Sequence, residues 1–224
     1  MKAELSFERD GAQLHRGAGL AALGGTEDAI RDLPANQAGV RLSRRPSLRP
    51  LLDRGGAMAA IAEHALGARA RPVRALLFDK TEATNWSLGW HQDRTICVRE
   101  RREVEGFGPW TRKAGLTHVA PPADILAAMV TLRYHLDDVP AANSPLLVAP
   151  GSHRLGRVPE AELEMVVQRC GSFACTARAG DIWLYATLIL HASEAARSPS
   201  RRRVLQVDYA AGDLPGGLEW LGIW

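Results

Sequence analysis

The tetrapeptide Trp90-His91-Gln92-Asp93 sets an imidazole and a carboxylate two residues apart. In an extended chain such side chains project to the same face, so both reach toward one point in space. Imidazole and carboxylate together suit a borderline divalent ion. Two histidines and one carboxylate on one side of the ion make the facial arrangement of non-haem Fe(II) sites. The third donor has to come from elsewhere, and His191 is the candidate. It follows the apolar run 182–190, which predicts a buried strand ending at His191 and Ser193. An H-x-D pair alone is weak, and a histidine ending an apolar strand is more often a hydrogen-bonded core residue. The combination carries the inference.

The elements that must position these residues change character along the chain. Residues 56–66 are rich in Ala and Leu and predict a helix, and 28–32 predicts at most a short helix before Pro34. The N-terminal third thus reads as helical packing material. From residue 73 onward, short apolar runs broken by turn residues predict strands at 73–78, 95–98, 125–136, 146–148, 173–177, 181–185 and 204–209. In the last of these, Leu205, Val207 and Tyr209 share one face and call for an apolar cover. Arg202, Val204, Gln206 and Asp208 share the other, which suits the wall of a polar cavity. Residues 100–122 form a long connection without periodicity, a candidate lid.

With 224 residues, 46% of them hydrophobic and 24% charged, the chain is large enough for one domain with its own core and unlike a disordered one. No apolar stretch reaches the length of a membrane span. Met1 to Asp10 lacks the basic-then-apolar order of a secretory signal, so a cytoplasmic location is expected. Cys97, Cys170 and Cys175 leave an odd thiol and no C-x-x-C spacing, which predicts free thiols rather than a disulfide framework. A net charge of +3 spread among interleaved acids does not imply nucleic-acid binding. A small-molecule substrate is expected, and nothing in the sequence fixes the oligomeric state.

Four segments bear a family resemblance: WHQD at 90–93, HLDDVPAANSPLLVAPGSH at 135–153, GDIWLY at 180–185, and HAS at 191–193 followed by three arginines at 201–203. Together they resemble the phytanoyl-CoA dioxygenase family of 2-oxoglutarate oxygenases. The resemblance implies a mainly β fold with flanking helices, a double-stranded β-helix of the jelly-roll, cupin-like kind. It implies one oxygenase domain over 1–224, with a helical flank at 1–70 and a β-helix core at 71–212. It further implies Fe(II) held by His91, Asp93 and His191, with 2-oxoglutarate and O2 as cosubstrates and no catalytic side chain beyond the ligands. Arg202, eleven residues after His191, matches the family's anchor for the far carboxylate of 2-oxoglutarate. A guanidinium offers two parallel N–H bonds to a carboxylate and stays charged when buried. Ser193 and Gln92 match positions beside the cosubstrate.

Hydroxylation of an aliphatic C–H, with release of succinate and CO2, is the expected outcome, since halogenating relatives replace the acidic ligand that Asp93 retains. His135, Asp137, Asp138 and His153 match strand and turn positions, and Ser144 stands where a glycine is usual. Arg201 and Arg203 read as a solvated basic turn. His15, His64 and His118 have no partner at useful spacing. Trp86, Trp90 and Trp183 either border the cavity or belong to the core. Three other functions fit part of the pattern: a non-catalytic metal-binding sensor or scaffold, an oxidative demethylase of nucleic acid, and a zinc or manganese cupin isomerase or lyase. The full set of three ligands plus Arg202 favours the oxygenase over the first and third. The absence of a concentrated basic stripe disfavours the second.

Overall fold

The computed structural model describes residues 4–34, 37, 39–197 and 200–224; Met1 to Ala3, at the start of the segment read for a signal, lie outside them. In chain order the strands are β1 (Ala12–His15), β2 (Gly39–Leu42), β3 (Arg71–Lys80), β4 (Leu88–His91), β5 (Ile96–Val98), β6 (Trp110–Lys113), β7 (Leu116–Val119), β8 (Met129–His135), β9 (Leu146–Val148), β10 (Phe173–Cys175), β11 (Ile182–Ala186), β12 (His191–Ser193) and β13 (Arg202–Ala210). They form a six-stranded sheet in the order β1-β11-β8-β13-β3-β2, a four-stranded sheet β10-β9-β12-β4, and a small sheet β5-β7-β6. All strand pairs are antiparallel, and the fold is a jelly roll. No helix among the described residues is long and apolar enough to cross a membrane.

The two faces of β13 divide as their alternation predicts. Leu205, Val207 and Tyr209 are buried with Leu132, Tyr134 and Leu184 under the early helices, chiefly the helix Ala57–Leu66. Two tyrosines dock those helices while satisfying their own hydroxyls. Tyr134 Oη donates to Gly19 O at 2.8 Å, and Tyr209 Oη to Leu52 O at 2.9 Å. On the opposite face Arg202, Val204 and Gln206 stand across from Lys80, Phe78 and Leu76, and Asp208 across from Arg74.

Several elements differ from the sequence expectation. The first 70 residues are not purely a helical flank: β1 and β2 pair with β11 and β3 and form both edges of the large sheet. Four-residue edge strands are too short to show a period. The early helix spans Leu23–Ile30 rather than 28–32. Residues 125–136 divide into a short helix, Ala123–Ala127, and β8, because an apolar run alone does not separate helix from strand. The run 182–190 is not one strand. β11 ends at Ala186, the chain turns, and His191 opens β12 in the other sheet. Residues 100–122 are not an irregular connection either, since β6 and β7 form a hairpin on β5 within them. Arg203 is not a solvated turn residue: it pairs with Asp137 at 2.6 Å and Glu27 at 2.7 Å, while Arg201 pairs with Asp79 at 2.9 Å.

Leu205 is fully buried at the centre of the large sheet. Leu205→Ala is expected to lower stability by about 2–5 kcal/mol. The measurement is urea unfolding, with a lower midpoint and an unchanged slope.

Candidate active site

The two histidines come together through strand pairing. β12 pairs with β4 so that His191 and His91 are direct cross-strand partners, and their rings stand 4.2 Å apart between centroids. Each ring is oriented by the backbone two residues before it. His91 Nδ1 lies 2.7 Å from Gly89 O, and His191 Nδ1 lies 3.0 Å from Ile189 O. A carbonyl only accepts, so Nδ1 carries the proton and Nε2 keeps its lone pair, the usual preparation of a metal-binding imidazole. Burial lowers the His191 pKa to about 4, which keeps the ring neutral.

Asp93 stands two residues past the end of β4. Its Oδ2 is buried without a hydrogen-bond partner, and Arg74 Nη2 lies 3.5 Å away, close enough for attraction but not for a good hydrogen bond. Burial opposes the carboxylate, yet Arg74 and the two imidazoles hold its pKa below the ordinary value. Arg74 is itself engaged by Asp208 through Nε, and Asp208 accepts from Thr131 Oγ1 at 3.1 Å. Among the described residues, no three His, Cys, Asp or Glu side chains are drawn into ligating geometry. The donors nonetheless fit a divalent ion: two imidazoles with free Nε2 atoms and a carboxylate with an unpartnered buried oxygen.

These residues line a cavity of about 600 Å³, the size of a small-molecule site. Arg202 also lines it, only 5% exposed. Its Nη1 donates to Asn143 O at 3.0 Å and to Ser144 O. Ser144 takes the left-handed conformation, φ 46°, that explains the usual glycine there, and its Oγ donates to Ala195 O at 2.9 Å. Burial, then Arg133, lowers the Arg202 pKa to about 10. Ser193 is beside this group, its Oγ accepting from Lys80 Nζ at 2.9 Å.

Gln92, which also lines the cavity, is held by three hydrogen bonds to the backbone. Its Nε2 donates to Gly156 O at 2.8 Å and Leu188 O at 2.6 Å, and its Oε1 accepts from Val158 N at 2.9 Å. Both amide protons are therefore committed to holding two loops together. Trp86 and Trp90 border the cavity, whereas Trp183 packs against Phe173 in the core.

Two cavity residues escape the sequence analysis, and a third, His118, is misjudged by it. Arg133, 9% exposed, donates to Gln206 Oε1 at 2.8 Å and keeps a buried Nε without a partner. Its only signal is a charge inside the apolar strand MVTLRYH. Lys80 donates to Trp86 O at 2.7 Å and covers the Trp86 ring at 4.2 Å. Burial, then Arg202 and Arg133, brings its pKa down to about 7. His118 does have a partner: its Nε2 lies 3.0 Å from Cys97 Sγ across the β5–β7 pair. Burial pushes the Cys97 thiol up to about 11, so the thiol stays protonated and donates to the ring.

No curated protein matches the chain. Among solved structures, EctD from S. alaskensis in its apoform superposes with a TM-score of 0.66 at 19% identity, covering 99% of this chain and 82% of that one. The non-heme alpha ketoglutarate dependent epimerase SnoN from nogalamycin biosynthesis gives 0.64 at 17% identity, covering 94% and 87%. HygX from Streptomyces hygroscopicus, with nickel and 2-oxoglutarate bound, gives 0.60 at 15% identity, covering 91% and 84%. At such identities these likenesses establish the shared fold. The sequence itself matches the phytanoyl-CoA dioxygenase (PhyH) family over residues 31–204, more than half of its length. The chain therefore belongs to the phytanoyl-CoA dioxygenase family, whose members are oxygenases dependent on Fe(II) and 2-oxoglutarate.

Proposed function

We propose that the protein hydroxylates an aliphatic C–H of a small molecule, with Fe(II) held by His91, Asp93 and His191 and with 2-oxoglutarate held by Arg202 and Ser193. The observation that carries this reading is the cross-strand pair His91 and His191, with both Nε2 atoms free, beside the unpartnered Asp93 oxygen on a cavity that Arg202 also lines. Bound there, iron supplies the O2 chemistry that side chains lack, coupling decarboxylation of 2-oxoglutarate to succinate and CO2 with oxidation of the substrate.

The chain's own residues bind and orient. Arg202, braced on Asn143 and Ser144 by one nitrogen, keeps the rest of its fork for a carboxylate. Lys80 and Arg133 add positive charge nearby, which suits a dianionic cosubstrate. Phe78, Trp86 and Leu146 supply apolar wall that limits water in the cavity. An epimerase and a carbocyclase are among the proteins of similar fold. The product decides among these outcomes, because hydroxylation adds one oxygen atom to the substrate whereas epimerisation and ring closure add none.

Anaerobically purified protein loaded with Fe(II) is expected to release succinate from 2-oxoglutarate when oxygen is admitted, and His191→Ala to release none above background. Equal release by both proteins defeats the ligand assignment. Arg202→Ala is expected to raise the 2-oxoglutarate requirement at least about tenfold, the scale of a lost charge-assisted bond. Gln92→Leu should act in the opposite sense. It leaves three backbone groups unpaired, so it lowers the unfolding free energy by about 2–4 kcal/mol, read as a lower urea midpoint, while cosubstrate affinity of the folded protein holds.

Lys80 gives the pH dependence. Its pKa of about 7 in the free protein lies below that of an ordinary lysine. An incoming dianion favours the ammonium, so affinity for 2-oxoglutarate is full below about pH 7 and falls as pH rises above it, when binding must take up a proton. Calorimetry in buffers of different ionisation enthalpy is expected to show that proton uptake at alkaline pH, and Lys80→Met to abolish it.

A further inference from the structure

The charges lining the cavity do not balance. Seven Lys or Arg side chains line it against two acids, Asp93 and Glu160. Asp93 faces Arg74, and Glu160 pairs with Arg94 at 2.9 Å. Arg202 is committed to the cosubstrate in the reading above, with Lys80 and Arg133 close by. Two cations remain without a counterion among the described residues: Arg41 on β2 and Lys113 on the β6–β7 hairpin.

Arg41 is half-buried, and its Nε is buried with no hydrogen-bond partner. An arginine nitrogen left in that state costs free energy unless a ligand completes it. Lys113 converges on the same place from another sheet. Burial first, and then Arg41, Arg74 and Lys113 together, disfavour a positive charge on His118. Arg41, Lys113 and His118 all line the one cavity.

That place is separate from Arg202. Arg41 pairs with Leu76, whereas Arg202 pairs with Lys80, four residues further along β3 and on its other side. Strand spacings put the two arginine Cα atoms roughly 16 Å apart, but Arg41 only roughly 8 Å from Arg74, the neighbour of Asp93. An anion at Arg41 thus lies on the Asp93 side of the cavity, away from the cosubstrate anchor. Leu76, Leu88 and Trp90 add apolar lining to the same cavity.

We infer that the substrate is an organic anion, an apolar body ending in a carboxylate or phosphate that is seated between Arg41 and Lys113. The placement of the reacting carbon, though not of the anion, rests on the oxygenase reading above.

The test uses the full chain loaded with Mn(II) in place of iron, at saturating 2-oxoglutarate, with octanoate, octyl phosphate and octanol titrated calorimetrically. At least one of the two anions is expected to bind at a single site, about tenfold or more tighter than octanol. The double variant Arg41→Gln/Lys113→Gln is expected to lose that advantage, while its affinity for octanol and 2-oxoglutarate and its melting temperature stay the same. Arg41→Lys should recover part of it. The proposal is overturned if neither anion binds the wild type, if octanol binds as well as the anions, if the double variant binds them like the wild type, or if the anion displaces 2-oxoglutarate one for one. Failure of the wild type to bind 2-oxoglutarate defeats the oxygenase reading instead, and the comparison of anion with alcohol is then made without it.

Discussion

A guanidinium buried between two carboxylates ties the scaffold to its chemistry. Arg74 belongs to β3, Asp208 to the neighbouring β13, and Asp93 to the tetrapeptide leaving β4 in the opposite sheet. Taking any one of these charges out of water alone is costly, and removing one partner strands the others. Burial and the two acids act in opposite directions on Arg74, and the acids prevail, so its charge is fixed. Asp208, whose own pKa burial raises, is steadied by Thr131, which in turn meets Thr187 at the turn leading toward His191. The polar chain from β13 through Arg74 to Asp93 thus aligns the two sheets at the point where the histidines pair.

Register makes this arrangement unforgiving. On β13, Arg202 and Gln206 line the cavity and Asp208 shares their face beside Arg74, while Leu205, Val207 and Tyr209 face the helices. A slip of one residue would send Leu205, Val207 and Tyr209 into the polar cavity and bury the Arg202 guanidinium in the apolar layer. The tyrosine hydroxyls bonded to Gly19 and Leu52, and Arg203 clamped by Asp137 and Glu27, each hold β8 or β13 to a fixed neighbour.

Much of this was legible in the sequence because it is local. The H-x-D spacing keeps an imidazole and a carboxylate near each other, and both line the cavity, while the period of two along 202–209 separates cavity from core. The end of the apolar run 182–190 points to His191, and the family motif to Arg202. What was not legible depends on pairing between distant segments. Arg133 is acceptable inside an apolar strand only because Gln206 lies across from it. The three backbone groups that Gln92 holds do not show in its spacing, since two lie more than sixty residues away and the third more than ninety. His118 acquires a partner only when the hairpin returns to β5. The edge strands β1 and β2 are four residues each, below the length at which alternation shows.

Those edges bear on how the molecule behaves in company. An exposed sheet border offers unpaired N–H and C=O groups that can recruit another chain. Here both borders of the largest sheet are short and carry Gln13, His15 and Arg41 among their few residues. Such borders make poor templates for edge-to-edge growth, so β11 and β3, which would otherwise be the sheet's edges, are withdrawn from pairing with another chain once the N-terminal strands have docked on them.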